Sequence, residues 1–320
     1  MANKITLPDP VIPLGSLILV TGANGLNASH AADQLLAAGY RVPGSVRNLA
    51  KSTYLTSLFS SRNPAVQGVA GIVHVVEAIE MNAEGPDAAA AAELRWQAGL
   101  SEATRQAGTV KSFALTASAW GAWTPNASKK TVLTQESWND EADALARDKT
   151  VPESQKGMAG FMALKTLVEP GMWDWVAREK PAIAFNSLLD TVMAEVLDPQ
   201  HQGIPSTAGM VHMAPQWHID CRDAGRLFVA VLASSPRVDR ERIFGFGERY
   251  SWSKVAEILM KLYPEHEGMV ALKDNGWDQT DVPNQRGEEL LRRLGQNGWT
   301  SLEESGRKNA KSWLNWARPA

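Results

Sequence analysis

The chain has 320 residues, 44% of them hydrophobic and 21% charged, with a formal net charge of −3. This balance excludes disordered and fibrous classes, and without any Lys/Arg-rich run it lacks the electrostatic footprint for nucleic acid or an acidic membrane. The one cysteine, Cys221, excludes an internal disulfide framework and is what a reducing, cytoplasmic setting predicts. Near the N-terminus a short apolar run, residues 17–20, follows three prolines, too short for a signal peptide or a membrane span.

That run, within residues 16–21, reads as a buried strand. It enters Gly22-Ala-Asn-Gly25, and residues 29–38 then show helical apolar spacing ended by Gly39. Residues 40–46, 71–76, 112–116 and 183–189 read as further strands, most of them leading into polar or glycine-containing loops. Helices are predicted over 88–107 and 158–169, with Pro170-Gly171 expected to kink or end the second before 173–179. Alternation of this kind predicts an α/β fold: a Rossmann-type doubly wound parallel sheet.

After Asp190 the alternation loosens. Residues 199–217 look like a loop over a pocket, 222–232 and 253–262 like amphipathic helices, and 242–245 like a short strand. Asn284 is placed to cap a helix at 288–294, and Ser301 with Glu304 forms a capping box for a last helix. The expected organisation is a Rossmann-type domain over 1–190 and a smaller C-terminal substrate-binding lobe over 191–320, part of whose last strands return to the first domain.

TGANGLNA, residues 21–28, lets the backbone turn tightly and aims a helix N-terminus at a pyrophosphate. The alternative is that Gly22 and Gly25 only allow close packing of helix on strand. The motifs LGSLILVTGANG (14–25), SFALTAS (112–118), ESWND (136–140), ALKT (163–166), LDPQHQG (197–203), APQWHIDCRDAGRL (214–227) and GWTSLEES (298–305) span nearly the whole chain. Together they resemble the extended short-chain dehydrogenases, in particular fungal and yeast NADPH-dependent aldehyde and carbonyl reductases related to plant dihydroflavonol reductases. The resemblance implies that Ser118 orients the substrate oxygen, that Lys165 is the family lysine, and that Gly22, Gly25 and Ala28 form the phosphate turn. It also implies that Arg47 and Lys51 favour the 2′-phosphate of NADP(H).

The departures from that pattern cluster at one ligand. FMALK, Phe161 to Lys165, stands where the family has Tyr-x-x-x-Lys, the phenol that exchanges the substrate proton while hydride moves. A phenyl ring lacks that proton, and general acid catalysis contributes a factor of roughly 10² to 10⁴, or about 3 to 5 kcal/mol of barrier. The chain is shortened between Lys51 and Gly71. At 74–77 it reads His-Val-Val-Glu where relatives read His-x-Ala-Ser. A Glu77 carboxylate about 5 Å from a phosphate costs about 3 kcal/mol at an effective dielectric near 20. Leu188-Leu189-Asp190 lacks the proline that lies by the nicotinamide in relatives, and a further deletion follows Met210. These changes predict weakened NADP(H) binding.

What remains is Ser118 and Lys165 facing a cleft. Lys165 is open to two readings, a desolvated amine acting as proton shuttle or hydrogen-bond donor, or a partner of Glu77 or Asp190. Trp120 and Trp123, with Trp217 from another segment, suit a flat apolar or cationic substrate, or else fill space left by the deletions. His212, His218, Asp220 and Asp223 match no metal spacing, and no metal is assigned. Three functions follow. One is a non-redox isomerase, cyclase or lyase acting on a bulky aromatic or polyketide-like secondary metabolite, its carbonyl polarised by Ser118 and Lys165. Another is an NADPH-dependent aldehyde or ketone reductase with a donor other than tyrosine. The last is a catalytically silent binding protein. The first is the leading expectation, for a monomer or homodimer working on a small molecule without nucleic acid or membrane.

Overall fold

The computed structural model of the protein describes residues 5–46, 68–75, 85–190, 192–193, 214–234, 237–265 and 271–316. In chain order these form β1 (Leu17–Val20), α1 (Leu26–Ala37), β2 (Val69–His74), α2 (Gly85–Ala107), β3 (Ser112–Ser118), α3 (Asp140–Arg147), α4 (Glu153–Lys156), α5 (Ala159–Glu179) and β4 (Ala184–Asp190). There follow β5 (Val192–Met193), β6 (Gln216–Asp220), α6 (Cys221–Ala233), β7 (Arg242–Gly245), β8 (Glu248–Tyr250), α7 (Trp252–Leu262), α8 (Gln285–Arg293) and α9 (Leu302–Trp316).

A strand covered on both faces can be continuously apolar, and LILV in β1 buries Leu17, Ile18 and Val20. The main sheet runs β1-β2-β3-β4-β7 with all four pairings parallel, the longest from Ser112↔Ala184 to Ser118↔Asp190. The strand expected over residues 40–46 is reduced to two isolated parallel bridges on the other side of β1, Leu17↔Arg41 and Val20↔Gly44. Pro43 between them has no N–H to donate to a ladder. Strand order therefore reverses at the carboxyl end of β1, the crevice where ligands bind in open α/β sheets.

Helices cover both faces, α1 with α6 on one and α2 with α5 on the other. The first core joins Ile18, Val20, Leu35, Leu227, Phe228 and Val231, the second Ile72, Phe113, Leu115, Met172, Trp175 and Phe185.

The expected break at Pro170-Gly171 does not occur, because α5 runs unbroken from Ala159 to Glu179 with Pro170 inside it. Losing the bond to the Thr166 carbonyl costs about 3 kcal/mol in an exposed helix. Here burial of Leu164 and Val168 before the proline and Met172, Trp175 and Val176 after it holds both halves in line. Gly171 serves packing: a Cβ there would meet Leu94 Cδ2 of α2 at 2.5 Å.

A second sheet, β5-β6-β8, pairs β5 parallel and β8 antiparallel to β6. The IDCRD segment after it is scaffolding. Asp220 caps α6 through the Arg222 N–H at 2.8 Å and accepts the Ser305 hydroxyl of α9 at 2.8 Å. Asp223 accepts the Thr300 N–H at 2.7 Å and Gln296 Nε2 at 2.8 Å. Burial pushes the Asp223 carboxyl up, whereas at Asp220 hydrogen bonds and charge from Arg222 outweigh burial and hold it down.

Asn284 precedes α8, but its side chain makes no cap. It donates to the Phe246 carbonyl at 2.7 Å, and the helix begins earlier than expected, at Gln285. Among the described residues no helix is long and apolar enough to cross a membrane.

Candidate functional site

The first half of the site is backbone. β1 leads into Thr21, and Gly22 at φ 60° takes the left-handed conformation that a side chain would strain. The turn closes with the Gly25 N–H on the Gly22 carbonyl at 2.7 Å. Gly25 then leads into α1, which has no side-chain cap and no acidic residue in its first turn. The first N–H groups of a helix lack intrahelical partners, and here Asn24, Gly25 and Leu26 are exposed. That open positive end fits pyrophosphate oxygens, while Ala28, fully buried, lets α1 lie close to the sheet. A Cβ at Gly25 would come 3.1 Å from the Gly22 carbonyl oxygen, so the turn also needs a small residue there. Arg47, Lys51 and Glu77, expected at the cofactor and substrate, lie outside the described residues, as does His212.

The second half is built from side chains at the end of β3. Ser118 accepts the Trp120 N–H at 3.2 Å, capping the short 3-10 turn Ala119–Gly121 and leaving its own hydroxyl hydrogen to point elsewhere. Gly121 brings this turn against α5, where a Cβ would sit 3.3 Å from the backbone and Cβ of Lys165. Lys165 is 7% exposed, with Nζ 4.9 Å from the centre of the Phe161 ring, a cation–π distance. The half-buried Phe161 meets Trp120 edge to face at 5.9 Å. Phe161 and Lys165 share one helical face because they stand four residues apart. The backbone of Asp190 pairs with Ser118 across β3 and β4.

Two residues not singled out from the sequence hold this half together. Asn139, 2% exposed, donates to the Trp120 carbonyl at 2.8 Å, gives its N–H to Gly121 at 3.0 Å and caps α3. ESWND drew attention as a motif, and this is its physical content. Gln216, 1% exposed, accepts the Trp120 indole N–H at 2.8 Å. It also hydrogen-bonds Tyr250, whose hydroxyl burial pushes up to about 12 against the pull of that bond.

Trp123 and Trp217 are buried among Phe244, Phe246 and Leu133, each meeting Phe246 edge to face. Trp217 also donates to the Thr280 carbonyl at 3.3 Å and lies under Arg249 at 4.4 Å. Of the three tryptophans proposed as substrate walls, Trp120 is thus the one recorded against Phe161. Below the site, Glu169, one turn after Lys165, takes a bidentate bond from Arg242 at 2.9 and 3.0 Å and the Ser187 hydroxyl at 2.6 Å.

Among the described residues no group of three or more His, Cys, Asp or Glu could hold a metal. A cleft of about 620 Å³ between α7 and α9, lined by Ile258, Trp277 and Arg307 among others, shares no residue with the site.

The profile of the NAD dependent epimerase/dehydratase family matches residues 18–142, from β1 through the Ser118 turn into α3. A ketoreductase of Penicillium rubens, adrE, is 31% identical over 92% of this chain and 96% of its own. The chain belongs to the epimerase/dehydratase family of extended short-chain dehydrogenases. Another member, aldehyde reductase 2 of Sporidiobolus salmonicolor, is 29% identical over 93% of this chain and 96% of its own. The crystal structure of Gre2 from Candida albicans in complex with NADPH superposes with a TM-score of 0.75 at 16% identity, covering 96% of this chain and all of that one. That likeness confirms the Rossmann-type parallel sheet. This family member thus has reductases among its relatives over nearly its whole length.

Proposed function

We propose that the protein is an NADP(H)-dependent reductase of an aldehyde or ketone in which the proton does not come from a phenol. The observation that carries this reading is the open, uncapped α1 terminus behind Gly22 at φ 60°. A chain that had abandoned dinucleotides would have no need to keep this helix end free of capping and acidic side chains. End-to-end similarity to a ketoreductase and an aldehyde reductase supports the same reading. The leading expectation from the sequence, a non-redox isomerase or cyclase, has no comparable support.

Bound NADPH would supply the hydride, held by the turn of Gly22, Gly25 and Ala28. The chain's own residues have to orient the carbonyl and answer the charge that develops on its oxygen. Ser118 is built for the first task, since its oxygen is engaged by the Trp120 N–H and its hydrogen remains for the substrate. Trp120 is fixed by Gln216 and Asn139, which keeps that geometry from relaxing. Lys165 answers the developing negative charge from over the Phe161 ring, and solvent delivers the proton. Without a phenol that last step is slow, so turnover is expected to be low.

The test is a titration of purified protein with NADPH, followed by turnover on a panel of aldehydes and ketones. Stoichiometric NADPH oxidation with alcohol formation is expected, and binding weaker than millimolar overturns the reading. Phe161 itself favours a second reading, non-redox chemistry on a bulky carbonyl metabolite polarised by Ser118 and Lys165. Product formation with no nucleotide present would select it.

A further inference from the structure

Arg242 of β7 is bonded to both segments that carry the reacting side chains. Its guanidinium is buried and its donors are divided. Nε and Nη2 hold Glu169 of α5 at 2.9 and 3.0 Å, while Nη1 reaches the Gln135 and Ser137 carbonyls at 3.2 and 2.6 Å. The guanidinium carbon also lies 3.7 Å from the centre of the Trp138 ring. Neutralising a buried carboxylate takes one cation and no more. The carbonyl bonds and the ring contact do something further, fastening residues 135–138 to α5, and they use the fixed fork of donors that only arginine has.

Each end of this bridge leads to a reacting group. Glu169 stands four residues after Lys165, on the same face of α5. At the other end Asn139 follows Trp138 directly, giving its N–H to the Gly121 carbonyl at 3.0 Å and its side-chain amide to the Trp120 carbonyl at 2.8 Å. Trp120 is thus held at its carbonyl by Asn139 and at its N–H by Ser118 Oγ, so a displacement of Asn139 reaches Ser118 through two hydrogen bonds. The turn and the helix also abut, since a Cβ at Gly121 would lie 3.3 Å from the Lys165 backbone. A shift of either segment therefore changes how Ser118 stands to Lys165.

We propose that Arg242 is a positioning residue, holding residues 135–138 and Glu169 together and so setting where the Ser118 hydroxyl stands relative to Lys165 and the substrate carbonyl. The reaction it serves rests on the reductase reading. Arg242→Lys tests it, because an ammonium keeps the charge beside Glu169 but cannot make two carboxylate bonds, two carbonyl bonds and the ring contact at once. Single-turnover reduction at saturating NADPH should slow about tenfold to a hundredfold, the scale of a misplacement near 1 Å, with NADPH affinity unchanged. In a Ser118→Ala background the same substitution should slow the reaction far less, because the hydroxyl it misplaces is already gone. An ion pair that only stabilised the fold would act alike in both backgrounds, and equal slowing overturns the proposal.

Hydrogen exchange needs neither nucleotide nor substrate. The Asn139 and Ala122 N–H groups, bonded to the Gly121 and Ala119 carbonyls, should exchange faster in Arg242→Lys, while the Gly25 N–H, bonded to Gly22, keeps its rate. Unchanged exchange at Asn139 and Ala122 overturns the bridge even where reduction occurs. If wild type neither binds NADPH nor reduces a carbonyl, the reductase reading falls and exchange still decides the bridge. Trp138→Leu removes the ring beside the guanidinium and leaves the Glu169 pair intact, so it tests the same link where Arg242→Lys does not fold. Rate and exchange should move in the same directions by smaller amounts, and no change in either overturns the proposal.

Discussion

At the end of β1 the chain offers backbone: a glycine at φ 60°, a two-residue turn and an uncapped helix. At the end of β3 it works through side chains, with Ser118 held by the Trp120 N–H and with Phe161 and Lys165 of α5 packed against Trp120 and Gly121. The first arrangement tolerates substitution of most surrounding side chains, because N–H groups belong to every residue. The second changes its chemistry with one oxygen atom. A family member can therefore keep the architecture of cofactor binding while its acid is gone, and the two halves have to be tested separately.

Restoring the oxygen bears hardest on that separation. Phe161→Tyr should raise reductase turnover by roughly 10² to 10⁴ if the dinucleotide half works, since a positioned general acid contributes about that much. Nζ of Lys165 is already 4.9 Å from the ring centre, where it would favour the phenolate. Single-turnover rates for wild type and variant measure it. Binding without any gain in rate would mean that the second half has lost more than its acid.

Next in size is the anchor below the side-chain half. Glu169 is buried and joined to Arg242 and Ser187, so Glu169→Ala leaves an unpaired buried guanidinium. The expected loss is about 3 to 5 kcal/mol in denaturant unfolding. In the surviving folded fraction turnover should fall more than NADPH affinity, because α5 carries Lys165 and Phe161 while the turn lies on β1 and α1. Equal losses in both would erase the distinction between the halves.

The backbone half has its own probe. Gly22→Ala forces a Cβ into the left-handed region at a cost of about 1 to 2 kcal/mol. The resulting shift of the turn should weaken NADPH binding severalfold with little effect on the chemical step at saturation. A change in that step would tie the two ends more tightly than their separate construction suggests.

The two halves also differed in how far they could be read from sequence. Short apolar runs ending in glycine announce parallel strands and a tight turn, because both depend on local composition. Ser118, Phe161 and Lys165 were reached through family resemblance, which locates a position without saying what surrounds it. The partners that hold the site were not legible: Trp120 and Gln216 are 96 residues apart, and no local pattern encodes that contact. Pro170-Gly171 misled for the opposite reason, a strong local signal overridden by Leu94 and the buried faces on either side. The strand expected at residues 40–46 survives as two bridges because its proline and glycine outweigh its apolar residues.

The smallest effect separates the scaffold from both halves. His218 of β6, with Nδ1 2.9 Å from the Glu248 carbonyl, is held below its ordinary pKa by burial. Above an unfolded value near 6.5 the ring is neutral in both states and contributes no pH dependence. As pH falls through that value the unfolded chain takes up a proton that the buried ring refuses, so stability is lost on acidification toward the folded pKa. Between pH 7.5 and 5.5 this amounts to about 1 kcal/mol, and urea unfolding of wild type against His218→Phe should isolate it. The variant's stability should fall less over that range, while the pH dependence of NADPH affinity stays as in wild type. A shared change in both would tie the second sheet to the dinucleotide half.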